Sequence, residues 1–183
     1  MLQIFKEDIG DSKLQFANLD ALIMITLRQA SPDDAAACID IRGKTRENAI
    51  SAARLMAMGI TLESWAQDIR SGNLWGLVCL ADQVMVGYCF GDRLAGEIVV
   101  LALLPDWEGL GIGKRLLQRA VDQLHSDGFE RLFLGCSSDP CSRSYGFYRH
   151  LGWRSTGKFD AAQDELLEYF SHGIATAPQP DSR

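Results

Sequence analysis

The chain has 183 residues, 47% of them hydrophobic and 23% charged, with 18 basic against 24 acidic side chains and a formal charge of −6. That length is one domain with a full core, and the composition excludes extended disorder away from the ends. The acidic balance excludes a general nucleic-acid binder, which needs a basic face, but leaves room for a local basic pocket around an anionic ligand.

In chain order, Lys6, Glu7, Asp8 and Asp11 interrupt any secretory leader. No run approaches the ~20 apolar residues that span a bilayer, so the expectation is a cytoplasmic protein with no membrane partner. Residues 1–23 carry scattered apolar residues without a sustained period. They read as an N-terminal extension, either translated from a start upstream of Met24 or packed on the domain or on a partner. The domain is expected over residues 24–171, opening on the alternating strand Met24-Ile25-Thr26-Leu27-Arg28. Ser31-Pro32-Asp33-Asp34 predicts a helix start, with serine as N-cap, proline at the first position and acids in the first turn. Residues 43–60 read as partly helical, and Thr61 opens a further helix that Gly72 ends.

Residues 74–81 and 84–90 form a hairpin around Asp82-Gln83. Residues 97–104, nearly continuous in apolar types, predict a central strand stopped by Pro105. Over residues 112–127, Ile112, Leu116, Leu117, Ala120, Val121 and Leu124 share one helical face. A strand over 131–136, a short helix over 142–151 and a closing hairpin of 153–159 with 164–170 complete the domain. Residues 172–183, with two prolines, read as a loose tail. The class is α/β, a mixed central sheet flanked by helices.

Five cysteines without CxxC spacing argue against a disulfide framework or a zinc knuckle. Cys79 and Cys89 read as buried thiols. Cys136 and Cys141 lie near the site described next, and catalysis is not expected of either. His125, His150 and His172 share no ligand spacing, so no metal is expected.

The informative stretch is Leu103-Leu104-Pro105-Asp106-Trp107-Glu108-Gly109-Leu110-Gly111-Ile112-Gly113-Lys114. A strand ends, a loop with alternate glycines follows, and an amphipathic helix begins. Glycines let backbone N–H groups approach a ligand, and the first amides of a helix lack internal partners, so the stretch suits a pyrophosphate. A Walker A loop fails because Glu108 and Arg115 stand where glycine and a hydroxyl residue are needed. The Rossmann fingerprint fails at Lys114.

The stretch resembles motif A of the GNAT superfamily of N-acetyltransferases, Arg/Gln-x-x-Gly-x-Gly/Ala, with Gly111 and Gly113 in the glycine positions and Glu108 where Arg or Gln is usual. Ser144-Tyr145-Gly146-Phe147-Tyr148-Arg149-His150-Leu151-Gly152-Trp153 is similar to the late motif of the same family, an aromatic-Tyr pair before x-x-x-Gly-Phe/Trp. Cys141 replaces an Asn common seven positions before the Tyr. The resemblance covers about residues 24–170.

The resemblance implies a GNAT-like sheet with two splayed parallel strands and acetyl-CoA as co-substrate between them. Leu101 and Leu103 would pair with the pantetheine, and the amides of Gly109, Leu110, Gly111, Ile112, Gly113 and Lys114 would hold the pyrophosphate. It implies acetyl transfer to a primary amine without an acyl-enzyme. Glu97 would be the base, with Asp92 and Glu47 in reserve, and Tyr148 the acid that protonates the leaving thiolate. Arg143 and Arg149 are secondary candidates for phosphate contact, since exposed arginines more often do nothing so specific.

The acceptor pocket would come from residues 42–66, with Arg46, Glu47 and Asn48 as polar candidates and Met56, Met58 and Trp65 as an apolar wall. The acceptor is a small-molecule or peptide amine of open identity, and a homodimer is the default assembly by base rate. The competing reading is a non-catalytic acyl-CoA-binding sensor or interaction module on the same fold, favoured by the departures at Glu108 and Cys141.

Overall fold

A computed structural model describes residues 13–18 and 21–170, with side chains from residue 23 onward. The strands are β1 (Lys13–Asn18), β2 (Ala21–Gln29), β3 (Leu74–Ala81), β4 (Val84–Asp92), β5 (Glu97–Leu103), β6 (Arg131–Cys136), β7 (Arg154–Phe159) and β8 (Glu165–Phe170). They form one sheet in the order β1-β2-β3-β4-β5-β6-β8-β7. Every neighbouring pair is antiparallel except β5 with β6, which run parallel. The helices are α1 (Ala35–Arg42), α2 (Ala52–Ala57), α3 (Leu62–Ser71), α4 (Ile112–Ser126) and α5 (Arg143–His150).

The long apolar runs of β3 and β4 follow from burial on both faces. On one face the six apolar residues of α4 pack with Cys79, Cys89, Ile98, Leu132, Leu134 and Leu167. On the other, Cys38, Ile41 and Trp65 pack with Val78, Leu80, Tyr88, Phe90 and Ala102. Trp65 meets Tyr88 and Phe90 edge-on at 5.8 and 5.7 Å.

Two expectations shift and one gains detail. The first strand of the domain begins at Ala21 rather than Met24 and pairs with Lys13–Asn18, so part of the stretch read as an aperiodic extension belongs to the sheet. Only Lys13 to Phe16 alternate there, four residues that the surrounding scatter hides. In the segment read as partly helical, the helix is confined to Ala52–Ala57. The closing hairpin is present, but β8 inserts beside β6 and leaves β7 at the edge. The expected tail, 172–183, and most of the expected extension, 1–12 and 19–20, lie outside the described residues.

The capping signals hold. Ser31 precedes a 3-10 turn with Pro32 at its first position, and this turn leads into α1. Thr61 caps α3, which Gly72 ends. Asp34 closes the first cap: its carboxylate accepts from Ser31 N at 2.7 Å and from two nitrogens of Arg28 at 2.7 Å each. The Arg28 guanidinium holds the Asp34 carboxyl below the usual carboxylate range, against the opposing effect of burial. This tie joins β2 to α1 and is present above the ordinary carboxylate range. It is lost as the pH falls through the lowered pKa of Asp34. Asp34→Asn is therefore expected to cost about 1–3 kcal/mol near neutral pH. Thermal melts should show the gap to the wild type closing at the acid end.

Candidate active site

The site begins where the sheet comes apart. β5 pairs with β4 along its length, from Asp92 opposite Glu97 to Gly87 opposite Leu103. With β6 it shares one pair, Glu97 with Phe133, supported by Phe133 N donating to Gly96 O at 3.1 Å. Beyond that point the parallel strands diverge. The register against β4 also slips here: Gly91 faces Ile98 and Phe90 faces Val100. Val99 is the extra residue of a bulge, which bends the strand. The β6-side edge of Leu101 to Leu103 therefore faces a cleft of about 730 Å³ rather than a neighbouring strand. This explains why β5, central in the sheet, is only partly buried despite its apolar run.

At the far end of β5 a 3-10 turn, Pro105–Trp107, leads into the glycine loop. Gly109 and Gly111 adopt φ of +76° and +78°, the left-handed region that L side chains avoid, and a Cβ on either would meet nothing within 4 Å. The constraint at these positions is conformational, and the space in front of the loop stays open. Gly111 is the N-cap of α4, and the first helical bond runs from Arg115 N to Gly111 O at 3.2 Å. The amides of Ile112, Gly113 and Lys114 precede that bond, so they have no intrahelical partner at the start of a 15-residue helix, the kind of end that suits an anion. Gly109, Gly111, Gly113 and Lys114 line the cleft, as do Leu101 and Leu103. Ile112 is buried in the core beneath the loop. The open strand edge, the glycine cradle and the helix start together fit an elongated ligand with a diphosphate at one end.

The expected acid and base fall differently. Tyr148 lines the cleft on α5, half-buried, with its ring against Phe147 at 5.1 Å and Trp153 at 6.3 Å. The Tyr148 carbonyl accepts from Leu151 N and Trp153 N, which fixes the turn that ends α5. Burial pushes the phenol above the usual tyrosine range, with the neighbouring Cys89 and Cys136 adding to the shift. Such a phenol keeps its proton at neutral pH.

Glu97 is half-buried at the start of β5, and its neighbours Ile98 and Val99, rather than Glu97 itself, are on the cleft wall. Burial raises its carboxyl pKa, and Asp92 and Asp160 raise it further. Asp164, just before β8, is on the wall, and burial with Asp160 raises its pKa while Arg42 lowers it. Sequence reading missed Asp164, which looks like an ordinary turn aspartate between two strands. It missed Arg42 too, the last residue of α1, which also lines the cleft.

The two reserve bases are occupied. The Asp92 carboxylate accepts from Leu94 N and Ala95 N in the turn before β5. The Glu47 carboxylate accepts from Arg143 N at 3.1 and 3.2 Å and from Ser142 Oγ at 3.2 Å, so it caps α5. Asn48 stands at φ +53°, and its carbonyl accepts from Arg42. Arg46, Glu47 and Asn48 all line the cleft, with Arg46 donating to Glu108 Oε2 at 2.8 Å at its glycine-loop end. Met56 and Met58 are exposed, whereas Trp65 is in the core. Arg149 Nη2 donates to Glu165 at 2.5 Å and its guanidinium covers the Tyr145 ring.

The cysteines are thiols. Cys38, Cys79, Cys89 and Cys136 are buried and Cys141 is exposed. Burial raises the Cys136 thiol pKa, the opposite of what a nucleophile needs. His125 Nδ1–H donates to Phe129 O at 2.6 Å at the end of α4, a structural contact. Among the described residues no group of His, Cys, Asp or Glu is arranged to hold a metal, and no helix is long and apolar enough to cross a membrane.

Comparison with known proteins agrees with this geometry. Residues 45–153 match the model of the acetyltransferase (GNAT) family. The chain belongs to that family, and it is an acyltransferase. Its fold is similar to that of PaiA N-acetyltransferase from Thermoplasma acidophilum, solved in complex with coenzyme A. The TM-score is 0.67 at 21% identity, over 80% of this chain and 99% of that one. YncA from Salmonella typhimurium, solved with its cofactor acetyl-CoA, aligns at a TM-score of 0.62 and 18% identity, over 86% and 99% of the two chains. The ribosomal-protein-S18-alanine N-acetyltransferase from Escherichia coli aligns at 0.59 and 15%, over 79% and 91%. No curated protein matches the chain in sequence.

The setting of Tyr148 makes a spectroscopic prediction. In an alkaline absorbance titration, Tyr148→Phe should leave the curve unchanged through the ordinary tyrosine range near ~10. A difference should open only at higher pH.

Proposed function

We propose that the chain moves the acetyl group of acetyl-CoA to a primary amine by direct transfer. The observation that carries this reading is the parting of β5 from β6, with the glycine loop at one end of the gap and Tyr148 on its wall. Membership of the family and the coenzyme A and acetyl-CoA bound by similar folds support it. The edge of Leu101 to Leu103 would hold the pantetheine amides. The amides of Gly109 to Lys114 would hold the diphosphate, which main-chain donors do without particular side chains.

The amine arrives mostly as ammonium, with a pKa near ~10.4, and must lose a proton before attacking the thioester carbonyl. Glu97, beside the cleft wall rather than on it, takes that proton through water, and its raised pKa makes it a better base than an ordinary carboxylate. Tyr148 hands its proton to the sulfur as the carbon–sulfur bond breaks. Burial suits it to the task because the phenol is still protonated at the working pH. Attack within one complex needs no nucleophile on the enzyme, which agrees with the raised thiol of Cys136.

The acceptor is a small-molecule or peptide amine. The negative charge of Asp160 acts on both Glu97 and Asp164, and this acidic group favours a cationic acceptor. A cytoplasmic setting goes with this reading.

A panel of amines with acetyl-CoA, read as release of free thiol, tests the proposal. Glu97→Gln and Tyr148→Phe should each lose about a hundredfold or more in turnover. Both should keep coenzyme A affinity in calorimetry. A base works deprotonated, so the wild-type rate should rise with pH through a carboxylate pKa above the ordinary range, and Glu97→Gln should lose that limb. If Asp164→Asn removes the limb and Glu97→Gln does not, the base is Asp164. Coenzyme A binding without thiol release from any amine would favour the sensor reading.

A further inference from the structure

Glu108 is the residue by which this chain departs from its family motif, and the structure surrounds it with two cations. Arg46 Nε and Arg143 Nη1 both donate to the same oxygen, Oε2. The Glu108 side chain is 20% exposed, whereas those of Arg46 and Arg143 are 53% and 55% exposed. All three line the cleft beside Gly109, Gly111 and Lys114.

The contacts close a ring. Arg46 reaches Glu108 across 62 residues of chain, Glu108 joins Arg143 across 35, and Arg143 N returns to Glu47, the residue after Arg46, across 96. Three segments remote in sequence thus meet at the glycine loop: the link between α1 and α2, the loop before α4, and the start of α5.

Two guanidinium groups on one carboxylate oxygen leave a net positive charge, and each guanidinium has further N–H donors beyond the one used. Like charges held this close stay together because the shared carboxylate screens them. A diphosphate laid across the adjacent amides would meet both cations in place. We propose that Glu108 is a positioning residue that holds Arg46 and Arg143 as a clamp over the diphosphate of coenzyme A. The two arginines supply the side-chain donors that Arg or Gln gives directly in the family motif. This rests on the reading that coenzyme A is bound, and it assigns Arg46 to the cofactor end of the cleft rather than to the acceptor.

The clamp makes a prediction opposite in sign to simple electrostatics. Removing a negative charge beside a phosphate site should tighten phosphate binding if Glu108 acts only through its charge. With a clamp, Glu108→Ala, which leaves no acceptor for the arginines and adds no donor for a phosphate, frees them and weakens it. Calorimetry on the full chain should give Glu108→Ala, Arg46→Gln and Arg143→Gln each about tenfold weaker coenzyme A affinity, as expected when a charge-assisted contact is lost. Glu108→Ala placed on the Arg46→Gln/Arg143→Gln background should add no further loss. Dephospho-coenzyme A, which keeps the diphosphate, should show the same penalties, and pantetheine, which lacks it, should show none. With an active amine, the penalty should fall on KM for acetyl-CoA and leave kcat in place.

Equal or tighter coenzyme A binding by Glu108→Ala overturns the clamp, as does a penalty that vanishes with dephospho-coenzyme A or persists with pantetheine. If Glu108→Ala does not fold, the two arginine variants, at exposed positions, decide: unchanged coenzyme A affinity in either overturns the clamp. Absence of coenzyme A binding by the wild type would instead overturn the proposed function.

Discussion

The architecture depends on one incomplete pairing. A parallel strand in the middle of a sheet ordinarily satisfies its amides and carbonyls on both sides. β5 does so toward β4 but meets β6 at the single pair Glu97 with Phe133. The bulge at Val99 bends the strand at the point where the gap opens. An open backbone edge inside a folded domain is costly unless something hydrogen-bonds to it, and the proposed function supplies that partner in an extended ligand carrying amides of its own. The rest of the molecule keeps that gap from closing. The two helical layers press the sheet from both faces, and the β7–β8 hairpin supports β6 from its far side.

Charge is arranged on the same principle. A chain with a net charge of −6 has to attract an anion locally. In the proposed reading that attraction comes from backbone dipoles at the start of α4, which no side-chain composition reveals, and from cations gathered from distant segments. Acidic residues near the cleft are largely committed to structure: Glu47 caps α5, Asp92 closes a turn and Glu108 binds two arginines. Glu97 and Asp164 are half-buried with raised pKa, the setting that the proposed base requires. Hydrogen-bond partners and burial thus set similar carboxylates apart.

Much of the frame was legible because it rests on local rules. The six buried residues of α4, the Ser31 and Thr61 caps, the Asp82-Gln83 turn with both residues at positive φ, and the strand 131–136 all follow from periodicity and capping chemistry. The glycine loop was legible for the same reason: alternate glycines before an amphipathic helix have few other uses. The short strand Lys13–Asn18 was not, because four alternating residues within an irregular stretch carry too little pattern to stand out.

The site divides along the same line. Sequence alone marked a loop suited to an anion, since main-chain amides at Gly109 to Lys114 are placed by local conformation. It also marked Tyr148 as a candidate by its place in the late motif and Glu97 by its place at the start of the central strand. Only the tertiary structure decided that β8 lies between β6 and β7, that Asp164 reaches the cleft wall while Glu97 stands beside it, and that Arg46, Glu108 and Arg143 meet. The physical reason is distance along the chain. Turns and helix starts are set by neighbours within a few residues. Contacts across 35, 62 or 96 residues exist only once the sheet and its two helical layers have brought those segments together.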